Sequence, residues 1–473
     1  MSGNAEGTDS RSAPFLDDDI SERLAWLTPR RVALFLIFWV TMFFAGSVFV
    51  NNPFVGGPGN PTWEIGAAYS SYYWVVMYLH GLNTCLVGLA ALLACDLLEI
   101  SSPHVRKGVL IGVLIAGILS PIGAIFNTSA PWNAGAGLWI QVTGFLALDE
   151  VVILLLWGMV GVWREGKPMS QTLPFLTVGL VGLTMLFAAV IGHLAGIILG
   201  FGNNPSIIGW YATQQLGETI DDFAFDLIGA HAYLMMSAVP VGVVSLVAIR
   251  FGYYRLQGWV KNVARVGFVM MGLDLVLQSG MALMSGFETF PGDLPPFVAS
   301  MPWVPSFLAL NDLINFLFLI LGGILVLFTI AIGNERVRGW KLPAGLPLRI
   351  FPLLMFVMFT VVTTITEPSA TSATSVGTPE QAWIRLFIGF FLTMLAVLVI
   401  VGAERLFGFA QLVRVGWTSL AGAALVFTGV GIYIQEGAYF GGYLAVVGIV
   451  LVGLSWFLTG QYGLIVHPRP AQQ

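Results

Sequence analysis

The sequence predicts an all-α, polytopic integral membrane protein of about twelve transmembrane helices, with both termini on the cytoplasmic side. Three observations carry that prediction. The first is composition: 57 % of the 473 residues are hydrophobic and 10 % are charged, where soluble chains carry about 25 % charge. The second is the recurrence of apolar stretches of the length that a helix needs to cross a hydrocarbon layer of about 30 Å, in which helices satisfy their own backbone polar groups. The third is the placement of Lys and Arg. Nineteen of the twenty basic residues fall in every second gap between apolar stretches, and Arg385 stands apart on the other side. Cytoplasmic loops are enriched in Lys and Arg, so the basic gaps mark the inside.

In chain order the expected spans are 32–50, 66–97, 107–127, 136–163, 173–201, 223–249, 262–285, 306–333, 348–367, 383–403, 414–434 and 439–462. The basic gaps between them hold Arg30 and Arg31, Arg106 and Lys107, Arg164 and Lys167, Arg250 to Arg265, Arg336 to Arg349, Arg405 and Arg414, and Arg469. The other gaps carry carboxylates instead, among them Glu64, Glu218, Asp221, Asp222, Glu288, Asp293, Glu367, Glu380 and Glu436. Residues 1–29 are polar and acidic, with Asp17, Asp18 and Asp19 in a row, and lack the pattern of a secretory signal; they are expected to be a cytoplasmic tail. Residues 30–464 then form a single membrane domain, and 465–473 a second cytoplasmic tail. The outer loops 50–65, 202–222, 286–305 and 368–382 are rich in Gly, Pro, Asn and Trp and are expected to form a lid, with Trp63, Trp132, Trp210 and Trp303 as interfacial anchors. The two halves show no matching Gly/Pro breaks or charged positions, which argues against an inverted-repeat transporter.

Cys85 and Cys95 are the two cysteines, both in the second span, so the chain has no disulfide framework, no CxxC and no thiolate metal site. Nothing supports nucleic-acid binding; the partners implied are the lipid bilayer and other membrane or redox subunits.

Ionisable groups inside a span cost about 2.5 to 3.5 kcal/mol each even on the mildest insertion scale, so they face a bundle interior and have a partner or a task. Here they gather in the outer half: His80, His193, His231, Asp226, Asp274, Gln278, Asn311, Asp312 and Asn315, with Asp149 and Glu150 near the middle of the fourth span. Asp274 and Gln278 are four residues apart, as are Asn311 and Asn315, which puts each pair on one helix face. A plain reading stands beside the functional one. A lone membrane histidine is often an interhelical hydrogen-bond donor, and Asn311, Asn315 and Gln278 suit helix-to-helix hydrogen bonds worth about 0.6 kcal/mol each. Asp274 and the adjacent Asp149 and Glu150 are harder to account for so, because buried carboxylates must be protonated, paired or metal-bound. His104 and His467 fall in cytoplasmic segments.

Twelve spans and histidines in the outer halves of spans two and six resemble the catalytic subunit of the heme-copper oxidase superfamily, nearest its nitric oxide reductase branch. Tyr78-Leu79-His80-Gly81 resembles the segment that binds the low-spin heme in that family. Gly229-Ala230-His231-Ala232-Tyr233, followed by Pro240, is similar to the span-six segment whose histidine serves the second metal of the binuclear centre. The resemblance covers the chain in topology and short stretches in sequence, and this chain departs from it at three places. The adjacent span-seven histidines are replaced by Leu277-Gln278-Ser279-Gly280, the His-x-His of span ten by Trp383-Ile384-Arg385, and the buried glutamate of span eight by Asn311-Asp312.

Ligand counting sets the consequences. His231 with Gln278 is the metal pair that remains, and a copper site of the usual three-histidine type is excluded. His80, His231 and His193 are the candidate heme ligands. Arg385 suits a heme propionate, a carboxylate such as Glu367 or Asp312, or an anion. The leading expectation is a divergent subunit of this superfamily, in the plasma membrane of a prokaryote, that lacks the standard binuclear centre, holds one b-type heme or none, and serves a respiratory or nitrogen-oxide redox system. Its catalytic residues, if it is an enzyme, stay open. The alternatives are a secondary transporter that uses Asp149, Glu150, Asp274 and Arg385, and a structural subunit of a membrane complex.

Overall fold

Apolar stretches that leave their ends beside charged turns fold as long helices, and the computed structural model is all-helical, with no strand among the described residues. It describes residues 27–50, 71–129, 134–200, 209–216, 219–284 and 316–332, and scattered residues between 350 and 454. The helices are α1 (Pro29–Val50), α2 (Ser71–Leu97), α3 (Pro103–Ser129), α4 (Ala134–Arg164), α5 (Leu173–Ala195), α6 (Ile220–Arg250), α7 (Gly258–Met284) and α8 (Gly322–Ile332). The first seven overlap the first seven expected spans, and α8 covers only the end of the eighth, 306–333. The four spans expected after residue 348, the two tails, and Asn311, Asp312 and Arg385 lie outside the described residues, apart from short helical pieces within those spans. Five helical stretches, His80–Leu97, Pro103–Phe126, Ala136–Arg164, Leu173–Ile198 and Leu227–Arg250, are long and apolar enough to cross a membrane.

Local chemistry sets where the helices begin and turn. At α1 the Thr28 hydroxyl accepts from the Arg31 amide at 3.3 Å, with Pro29 in the first turn, where a missing N–H leaves no bond unmade. Pro103 opens α3 in the same way. Between α2 and α3 the chain reverses through Glu99, whose φ of 53° is left-handed. The turn between α4 and α5 holds that strained turn in place. Lys167 Nζ donates to the Glu99 carbonyl at 2.9 Å, and Ser101 Oγ donates to Glu165 at 2.6 Å. Lys167 also pairs with Glu165 at 3.0 Å. Both turns lie in gaps expected to be cytoplasmic, and both belong to the basic-loop side of the bundle.

Short turns make α2 to α5 successively antiparallel. The most extensive contacts run between α3 and α4, then α5 and α6, then α2 and α3; α7 packs on α8, and α6 touches α2, α5 and α7. Small residues set the closest approaches, as expected where lipid is as apolar as the side chains and packing must bring helices together. A Cβ on Gly123 would strike the Gln141 backbone, and one on Gly144 would come within 2.6 Å of Ser120. Gly267 and Gly322 face each other in the same manner across α7 and α8, each beside the other's carbonyl oxygen.

Burial divides the bundle into centre and edge. Most of α2 and α6 is buried, whereas α4 and α5 present apolar side chains outward. On α5 the exposed residues Leu176, Leu183 and Val190 share a stripe, one every seven positions, which Ile197 extends in the turn that follows; on α4 Trp139, Leu146, Ile153 and Val160 repeat the spacing. A seven-residue step is close to two helical turns, so each stripe is one face turned to an apolar surrounding. The polar residues of the bundle therefore converge where α2, α4, α5 and α6 meet.

Candidate functional site

His80 lies seventeen residues before the end of α2, His231 nineteen before the end of α6, and His193 twenty after the start of α5. At 1.5 Å per residue each is about 25 to 30 Å from the basic-loop end of its helix. Three histidines on three helices thus reach one level, and the packing of those helices turns that shared level into a cluster.

The His80 and His231 rings stand 6.3 Å apart, centre to centre, with an angle of 24° between their planes. His231 Nδ1–H donates to the Ala188 carbonyl on α5 at 2.8 Å. In the neutral ring that bond places the proton on Nδ1 and leaves the Nε2 lone pair available, the arrangement that prepares an imidazole to ligate a metal. The ring fits against α5 because residue 192 is glycine: a Cβ there would sit 2.7 Å from His231 Nδ1 and 3.0 Å from Cε1. His80 is flanked by the Phe145 ring of α4 at 5.7 Å. One turn further along α2, Thr84 Oγ1 donates to the His80 carbonyl at 2.8 Å and meets the Ser120 hydroxyl of α3 at 2.9 Å.

His193 does not join the stacked pair. Its Nε2 lies 2.7 Å from Asp149 Oδ2 on α4, a charge-assisted hydrogen bond with both side chains about three quarters buried. The pair is close enough to act electrostatically on His231. Glu150, the neighbour of Asp149 in sequence, is exposed; consecutive residues on a helix point about 100° apart, so one of the two carboxylates joins the cluster and the other does not.

Asp274 is fully buried on α7 beside Ser237 of α6 and Gln278 of its own helix. Neither carboxylate oxygen, nor the Ser237 hydroxyl, meets the geometry of a hydrogen bond. Gln278, expected as a metal ligand with His231, is thus part of the Asp274 group. Asp226 lies on α6, with its side chain outside the described residues. Among the described residues no group of three or more His, Cys, Asp and Glu side chains is arranged to hold a metal ion.

Four participants have no signal in the linear sequence. Gly192, Ala188, Phe145 and Ser237 are a glycine, a backbone carbonyl, an aromatic and a serine among many, and they matter through what another helix places against them. Gly192 is the one with a faint local hint, since it adjoins His193. No protein-family model matches this chain, and neither the curated proteins nor the solved structures offer a similar one.

Proposed function

We propose that this chain is a membrane redox subunit that holds one b-type heme between His80 and His231. We place it in a twelve-span scaffold of the heme-copper oxidase type that lacks the standard binuclear centre, in a respiratory or nitrogen-oxide system. The observation that carries the reading is the imidazole pair. The two rings, on α2 and α6, stand 6.3 Å apart centre to centre, near enough that both nitrogens would reach one metal at bonds of about 2 Å.

The donor set favours heme over a bare ion. His80 and His231 would hold a heme iron, which brings most of its ligands from the porphyrin, whereas copper or zinc would need further protein donors. The heme is of the non-covalent b type because Cys85 and Cys95 are ten residues apart and form no CxxCH attachment motif. Such a group supplies one-electron transfer. The chain's part is to hold its ligands: Ala188 and Gly192 fix the His231 ring, and Phe145 packs beside His80.

The test is an optical spectrum with a pyridine hemochrome assay on protein purified from heme-replete cells. One heme per chain is expected. His80→Ala and His231→Ala should each abolish or shift the Soret band, while His104→Ala, at an exposed position on the basic-loop side, leaves it unchanged. A pure, folded preparation without heme would overturn the reading.

A further inference from the structure

Asp274 sits on a helix of membrane-spanning length with 0 % of its surface exposed, and Ser237, across the α6–α7 contact, is equally buried. Neither carboxylate oxygen nor the serine hydroxyl meets the strict geometry of a hydrogen bond, although Ser237 and Gln278, the latter one turn along α7, lie near enough to donate to the carboxylate. Buried polar atoms in native proteins are paired, so a cluster of unpaired ones signals a missing water or ion. A carboxylate at membrane depth is also expensive unless its charge is balanced. Among the described residues no cationic side chain accounts for that balance: the polar groups recorded at Asp274 are Ser237 and Gln278.

We infer that Asp274, Ser237 and Gln278 form a binding site for a monovalent hard cation, of which sodium is the representative. The chemistry of the donors sets the class. Each side chain can offer an oxygen, the carboxamide by turning its Oε1 inward, and oxygens from carboxylate, hydroxyl and amide suit hard cations rather than copper or zinc. One carboxylate with neutral partners balances one positive charge; a divalent ion would leave a net charge in a low-dielectric interior, which is strongly unfavourable. The site bridges α6 and α7, so occupancy ties the helix bearing His231 to its neighbour. It uses neither His80 nor His231 and stands independently of the heme reading.

Thermal unfolding of the detergent-solubilised full chain in sodium chloride and in choline chloride at equal ionic strength tests it. Sodium should raise Tm progressively above its dissociation constant, by about 1 to 2 °C for each tenfold increase in concentration. Ser237→Ala should move the half-saturating sodium concentration up about tenfold, as expected for one lost ligand. Asp274→Asn should remove the sodium dependence. If that variant does not fold, the wild-type protein still answers: sodium should slow modification of Asp274 by dicyclohexylcarbodiimide, mapped by mass spectrometry, and choline should not. Equal Tm in both salts together with sodium-independent labelling would sink the proposal and leave Asp274 a protonated structural carboxyl.

Discussion

His193 of α5 donates to Asp149 of α4 at 2.7 Å, and this contact ties an outward-facing helix pair together at the level of the buried histidines. Both side chains keep about a quarter of their surface exposed, so solvent weakens the attraction. Intramembrane hydrogen bonds contribute about 0.6 kcal/mol on average and up to about 1.7. A double-mutant cycle of Asp149→Asn and His193→Gln, read by unfolding in detergent, should therefore give a coupling of about 1 kcal/mol. Additive single effects would show that the two residues act separately.

Gly192→Ala should displace the His231 ring, because the new Cβ would fall 2.7 Å from Nδ1. Overpacking of this kind typically costs about 1 to 3 kcal/mol. Gly161, on α4, has nothing within 4 Å of an added Cβ, and alanine there should be neutral or slightly stabilising because glycine is the poorer helix former. The pair of variants separates a specific clash with His231 from a general intolerance of alanine in these helices. In heme-loaded protein the Gly192 variant should also shift the Soret band, and the Gly161 variant should not.

Acid should loosen the turn that joins the α2–α3 and α4–α5 connections. The Ser101 hydroxyl, and then Lys167, hold the Glu165 carboxyl below its usual value of 4.5. A lowered folded-state pKa means that the ionised form is favoured by folding. The contribution is therefore complete above about pH 4.5 and is lost as pH falls through the depressed value. Thermal melts of wild type and Glu165→Gln between pH 7 and pH 3 should converge at the acid end. Ser101→Ala removes the leading cause and should shift the loss to higher pH. Curves that stay parallel across the range would show that Glu165 contributes nothing there.

The linear chain determined the helices, because span length and apolar content are local properties: the bilayer demands about twenty apolar residues of any crossing segment, whatever its neighbours. The first seven expected segments reappear as α1 to α7 with ends a few residues from those expected, and α8 covers the end of the eighth. The sequence also marked His80, His193, His231, Asp149 and Asp274 as costly and therefore purposeful. What it did not contain was the pairing. Both His193 and His231 were candidate heme ligands, yet one bonds Asp149 and the other stacks with His80, because each meets a different helix. Asp149 and Glu150 looked like a pair, yet the helical turn sends them to different surroundings. Gln278 was grouped with His231 by resemblance and lies beside Asp274, as their four-residue spacing on one helix face also indicated. Those outcomes depend on which helices touch and on which glycines let them approach, as Gly192 does for His231. The histidine pairings are relations between residues tens of positions apart, which no local pattern encodes and which the tertiary structure alone decided.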